Sequence, residues 1–115
     1  MIISQDQVVL FKPHGSIDLQ GGMAFSKQML EVVPRPHQLW VLDMSEVDFM
    51  DSSGLVPLIN GLTSARENNC RLVLCNVQAP VRLILELTQL DSVFEIFDTY
   101  EDIFTHSHDK NLVVA

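Results

Sequence analysis

Basic side chains are scarce in this sequence: seven Lys and Arg stand against fifteen Asp and Glu, a formal net charge of −8. Nucleic-acid binding needs clustered positive charge to meet phosphates, so the chain is a poor candidate for it. Any effect on transcription has to run through another protein. Cysteine is nearly absent. Cys70 and Cys75 flank the apolar run Leu72-Val73-Leu74, and with no second pair at metal-ligand spacing they read as reduced thiols and not as a zinc site or disulfide framework. No apolar run approaches the ~20 residues of a membrane span, which excludes membrane insertion by a helix. The opening Met1-Ile2-Ile3-Ser4-Gln5-Asp6 has no basic segment followed by a long apolar run, so a cytoplasmic location is expected. Internal repeats, linkers, low-complexity segments and Walker-type glycine loops are missing too, and no cofactor is expected.

What is present is apolar residues, 47% of a chain of 115, enough for one compact core. The expectation is a single α/β domain over residues 1–115, with its core at about 7–104 and a tail at 106–115. Val8-Val9-Leu10-Phe11 reads as a first strand, with a shorter one at Ile2-Ile3, and Lys12-Pro13-His14-Gly15 as the turn that stops it. Apolar spacing predicts a helix over 20–33, ended by Pro34 and Pro36. Leu39-Trp40-Val41-Leu42 is a continuous apolar run, as in a strand covered on both faces. Residues 45–50 read as a loop in which Phe49 and Met50 anchor to the core.

From Leu55, the positions Leu58, Ile59, Leu62 and Ala65 recur at helical steps, and Asn68-Asn69 supplies a stop. Pro57 is tolerated in a first turn, so this helix is expected to begin just before it. A strand at 71–75, a helix opened by Pro80, a short strand at 93–97 and a helix from about 100 to 105 complete the pattern. The strand and helix alternation implies a mixed, partly parallel sheet of about four to five strands with about four helices packed on it.

The junction Asp51-Ser52-Ser53-Gly54-Leu55 lies between the loop and the second helix. A serine there sits beside the free N–H groups of a helix's first turn, a favourable place for a phosphate. Asp and Ser are also ordinary helix caps, so the five residues alone support either reading.

Taken in order along the chain, several segments resemble the STAS domain, the family named for sulfate transporters and anti-sigma factor antagonists. Within that family, the chain most resembles the small stand-alone bacterial anti-sigma factor antagonists. Gly15-Ser16-Ile17-Asp18 is similar to the family's turn after its first long strand. Val41-Leu42-Asp43-Met44-Ser45-Glu46-Val47-Asp48-Phe49-Met50-Asp51-Ser52-Ser53-Gly54-Leu55 resembles its central strand, loop and switch motif. Arg71-Leu72-Val73-Leu74-Cys75-Asn76-Val77, Val81-Arg82-Leu83-Ile84-Leu85 and Leu90-Asp91-Ser92-Val93-Phe94 match its later elements.

The resemblance implies that Ser52 is phosphorylated by a partner anti-sigma factor that is a serine kinase, and that a serine phosphatase reverses the modification. It also implies a partner-binding surface drawn from Asp18, Asp51, Ser53, Gly54 and Leu55, on a protein that is not an enzyme. Asp18 reads equally as a local turn former, and Asp51 as a cap or as the residue presenting Ser52. Gly21-Gly22 and Pro57 depart from the family's pattern, near surfaces the family uses for its partner.

Other classes fit less well. A receiver with Asp43 as phosphoacceptor needs an acidic pair after the first strand and a late lysine, but no lysine lies between Lys27 and Lys110. A serine hydrolase needs a Gly-x-Ser-x-Gly elbow and a histidine held by an acid. His106 and His108 have a metal-like spacing in a polar tail and read as solvated. A STAS subunit acting as a non-switching scaffold in a signalling or transporter complex is the alternative within the fold.

Overall fold

Leu39-Trp40-Val41-Leu42 sends alternate side chains to opposite faces of a sheet, and all four are buried. That is why the run is continuously apolar. The computed structural model describes residues 7–111, with side chains through Thr105. In chain order the elements are β1 (Val8–Phe11), β2 (His14–Ile17), α1 (Leu19–Leu30), β3 (Leu39–Asp43), β4 (Glu46–Met50), α2 (Ser52–Glu67), β5 (Arg71–Cys75), α3 (Ala79–Leu87), β6 (Glu95–Phe97) and α4 (Tyr100–Asn111). A 3₁₀ turn at Leu90–Ser92 precedes β6.

Two ladders form. The main sheet has the order β1-β3-β5-β6, and β2 pairs with β4 in a separate two-stranded ladder. Among the described residues every pairing is parallel. The short strand expected at Ile2-Ile3 lies outside them.

One face of the main sheet presents Trp40, Leu42, Leu72 and Leu74 to α1, α2 and α3, which contribute Phe25, Met29, Leu58, Leu62, Val81 and Leu85. The Phe11 and Trp40 rings meet edge to face, their centroids 5.6 Å apart. The opposite face presents Leu39, Val41, Val73 and Cys75, which pack with Ile103 of α4. At the start of the last two strands, Arg71 grips Glu95 with two nitrogens, Nε to Oε1 at 2.8 Å and Nη2 to Oε2 at 2.6 Å.

The α/β class and the four helices agree with the sequence-based expectation, and several local features differ. Residues 14–17 and 46–50 are paired strands, not turn and loop. Phe49 is 49% exposed, while its neighbour Met50 is buried. Helix α2 begins at Ser52, so Pro57 is its sixth residue and lies beyond the first turn. Helix α4 continues to Asn111, so residues 106–111, expected in the tail, are helical. The side chains of His106 and His108 lie outside the described set.

Candidate functional site

The β2-β4 ladder places the site. Its register ends at Ile17 opposite Met50, and the next residue on each strand, Asp18 and Asp51, caps a helix. Asp18 Oδ1 accepts from the Gly21 N–H at 2.9 Å. Asp51 Oδ1 accepts from the Ser53 N–H at 2.9 Å. The Asp51 N–H donates to the Ile17 carbonyl at 3.4 Å, which ties the start of α2 to the end of β2. Two helix N-termini therefore leave one ladder side by side, each with a carboxylate against its positive end.

Ser52 is the first residue of α2 and is exposed, as is Ser53. The junction carries less unoccupied donor capacity than a bare helix start. The Ser53 N–H is held by the Asp51 carboxylate, and the Gly54 N–H donates to the Asp51 carbonyl at 3.0 Å. Anion-stabilising capacity at this helix mouth is thus largely occupied by Asp51. A phosphate on Ser52 would stand beside a carboxylate and not in an empty cradle.

Gly54 and Leu55, expected on the partner surface, are buried. Gly54 rests against the Ile17 carbonyl, where a Cβ would collide with the oxygen, and Leu55 joins the core. Their part is to seat α2 against the ladder. The accessible groups are Ser52, Ser53 and the half-buried Asp18 and Asp51. Phe49, which sequence reasoning assigned to the core, is exposed two residues before Asp51. The five-residue strand it sits in has only Val47 and Met50 buried, so its inward and outward positions were not separable by alternation.

The two departures from the family pattern turn out to be parts of one contact. Gly22 of α1 and Pro57 of α2 are both buried, and a Cβ on Gly22 would lie 3.1 Å from Pro57 Cγ. Gly21 has no room for a side chain because the Ser16 carbonyl occupies that space. Gly22 and Pro57 set how closely α1 and α2 cross, directly behind Ser53, and Gly21 sets how closely α1 lies against β2.

Among the described residues no histidine stands at the junction. His14 opens β2 at the far end of the ladder, opposite Glu46, and His37 lies just before β3. Among the described residues no cluster of His, Cys, Asp and Glu could hold a metal ion. Asp43, at the carboxyl end of β3, has its own structural task. Burial opposes its ionisation, but the Ser45 N–H at 3.0 Å, the Asn76 amide at 3.1 Å and nearby Lys12 outweigh that and lower its pKa. No helix among the described residues is long and apolar enough to cross a membrane.

A parallel sheet with helices on both faces, plus a side ladder that delivers two capped helix starts to one corner, is the architecture of a STAS domain. The chain belongs to that family, whose model matches residues 1–103. Within it, the chain is similar to the anti-sigma F factor antagonist of Paenibacillus polymyxa, 25% identical over 99 residues that span 85% of each chain. It is also similar to the crystal structure of an anti-sigma factor antagonist from Mycobacterium paratuberculosis. That match has TM-score 0.72 and 27% identity, over 92% of this chain and 90% of the other. The fold is shared further with a sulfate transporter family protein from Wolinella succinogenes, at TM-score 0.74 and 17% identity over 88% and 84% of the two chains.

Proposed function

We propose that this protein is a cytoplasmic anti-sigma factor antagonist controlled at Ser52. Its unphosphorylated form binds an anti-sigma factor that is also a serine kinase, and so frees a sigma factor. Phosphorylation of Ser52 ends the interaction, and a serine phosphatase restores it. The observation that carries this reading is the position of Ser52, an exposed hydroxyl at the first residue of α2, directly after the carboxylate that caps that helix and on the ladder end where the Asp18-capped helix also starts.

With a neutral hydroxyl, that corner can be approached closely. A phosphate adds about 1.5 to 2 negative charges and three oxygens. Asp51 already satisfies the helix end, so the added charge is not absorbed locally and meets the partner. Losing ~3 kcal/mol of binding lowers affinity more than a hundredfold. The fold is unaffected because the modified group points to solvent. Asp18, Asp51 and Ser53 form the remaining contact surface.

The fold shared with a sulfate transporter family protein supports a second reading, a scaffold without a switch. Two measurements separate the two. Unphosphorylated chain is used to capture its anti-sigma factor, and Ser52→Ala and Ser52→Asp are compared in the same capture. Retention by Ser52→Ala with loss by Ser52→Asp is expected, and equal retention would overturn the switch. Intact-mass analysis of protein from its native cells should show one phosphate mapping to Ser52, and its persistent absence favours the scaffold.

A further inference from the structure

A trough runs along the seam between α1 and α2, starting beside Ser53. It consists of two hollows of about 600 and 360 Å³ that share Ser26, Leu30, Pro57 and Asn60 as lining. Its upper part is walled by Leu19, Met23 and Val56, all exposed, and Leu30 between the hollows is 84% exposed. Charge is nearly absent from both helices. Lys27 is the one charged side chain on α1, and those of α2 are Arg66 and Glu67, at its far end. In a chain where 19% of residues are charged, a largely apolar surface of this extent with Lys27 as its one charged lining residue has the composition of an interface core.

The charges that do occur fall in an order. Asp18 and Asp51 stand at the mouth of the trough, and Lys27 lines its wall nine residues beyond Asp18. At the helical rise this separates the two signs by about 13 Å. The lining comes mostly from two helices, with Val32, Pro34 and Trp40 closing the smaller hollow. The one strand residue among them, Trp40 of β3, is already paired on both sides by β1 and β5, so an extended segment would find no backbone pairing there. A helix can lay an apolar stripe into such a seam.

We infer that the α1-α2 trough receives an amphipathic helix of the anti-sigma factor, one carrying a basic residue near Asp18 and Asp51 and an acidic residue about nine positions away, opposite Lys27. This inference rests on the function proposed above and adds the shape and charge order of the partner segment. Ser52 sits at the mouth, so a phosphate there confronts the end of the docked helix while the apolar walls stay unchanged.

The probe is a set of overlapping synthetic peptides of about sixteen residues covering the anti-sigma factor retained by the unphosphorylated chain. Each is labelled and titrated with wild-type protein and with Val56→Asp and Lys27→Glu, with circular dichroism to confirm that both exposed-site variants fold. One peptide with an apolar stripe should bind wild type, bind Val56→Asp at least roughly tenfold more weakly, and regain affinity for Lys27→Glu when its acidic residue is changed to lysine. Two results overturn the inference. One is binding by the full anti-sigma factor that Ser52→Asp abolishes but Val56→Asp leaves unchanged, which retains the switch and removes the trough from it. The other is sedimentation showing a dimer of this chain that Val56→Asp dissociates, which gives the trough to a second copy. If unphosphorylated chain retains no anti-sigma factor, the proposed function itself fails.

Discussion

Gly54→Ala and Gly61→Ala make the same chemical change in the same helix at two buried positions, yet they should differ by about 3 kcal/mol. A Cβ at residue 54 runs into the Ile17 carbonyl oxygen and lies 2.8 Å from Ile17 Cγ2 and 2.9 Å from Met50 Cγ. Carbon contacts are optimal at about 3.5–4.0 Å. The main obstacle is backbone, held in the β2-β4 ladder and accepting the Asp51 N–H, so no rotamer change relieves it. Overpacking costs of ~1–3 kcal/mol apply at their upper end. Disturbing the Asp51 bond adds about 1 kcal/mol.

At residue 61 the nearest atoms are Met29 Sδ at 2.7 Å and Cε at 3.0 Å, the far end of a flexible side chain. Turning it costs about 0.5–1.5 kcal/mol, against a gain of ~1 kcal/mol from alanine in a helix. The net is close to zero. Urea unfolding followed by Trp40 fluorescence and far-ultraviolet dichroism reads both. Gly54→Ala should lower the midpoint by more than ~1 M, and Gly61→Ala should barely move it. A Gly54→Ala protein within about 1 kcal/mol of wild type, or a larger loss at Gly61, would refute the reasoning.

Pro57→Ala should stabilise the protein by about 1 kcal/mol: it restores an N–H for the Ser53 carbonyl and removes a helix penalty of ~3 kcal/mol, while losing roughly 1.6 kcal/mol of buried ring carbons. Thermal melting checks the sign. Asp51→Ala should cost about 1 kcal/mol through loss of the Ser53 cap, and Asp51→Asn should recover most of it, as seen by the melting temperature. Cys75 should resist thiol reagents at pH 8 in the native state and react once the chain is unfolded. Burial, then the Asp43 and Glu101 charges, push its pKa from 9.0 up to about 11. Above pH 9 the unfolded thiol ionises while the folded one keeps its proton, so stability should fall between about pH 9 and 11. Urea midpoints for wild type and Cys75→Ala across that range test it, and an equal decline in both would refute the assignment.

The elements that bury both faces or a full stripe were legible in the sequence. β3 reads as a central strand because each of its first four residues is covered, and α2 because Leu58, Leu62 and Ala65 pack inward at helical steps. β2 and β4 were not legible. Among the described residues they pair only with each other, β2 buries Ile17 alone, and an irregularity breaks the alternation, so their sequences look like turn and loop. Pro57 misplaced the start of α2 because a proline penalty was weighed without the partner that fits its ring, Gly22. At the site, the capping role of Asp51 was one of two sequence readings. The burial of Gly54 and Leu55 depends on the Ile17 carbonyl, contributed from 37 residues earlier in the chain than Gly54.

The irregularity in the β2-β4 ladder falls between Gly15, opposite Val47, and Ser16, opposite Phe49, so Asp48 has no partner of its own. The two strands therefore act as rulers of unequal length that nevertheless finish level. Asp48 is the surplus residue of a bulge, so neither its side chain nor its place in the count is needed to align the helices. Deleting it would leave four residues facing four, with Ser16 still opposite Phe49 and Ile17 still opposite Met50, so Asp18 and Asp51 should stay level. Removing a residue from Phe49 onward is different, because it would draw the start of α2 back by about 3.3 Å relative to α1 and take Met50 out of its inward place.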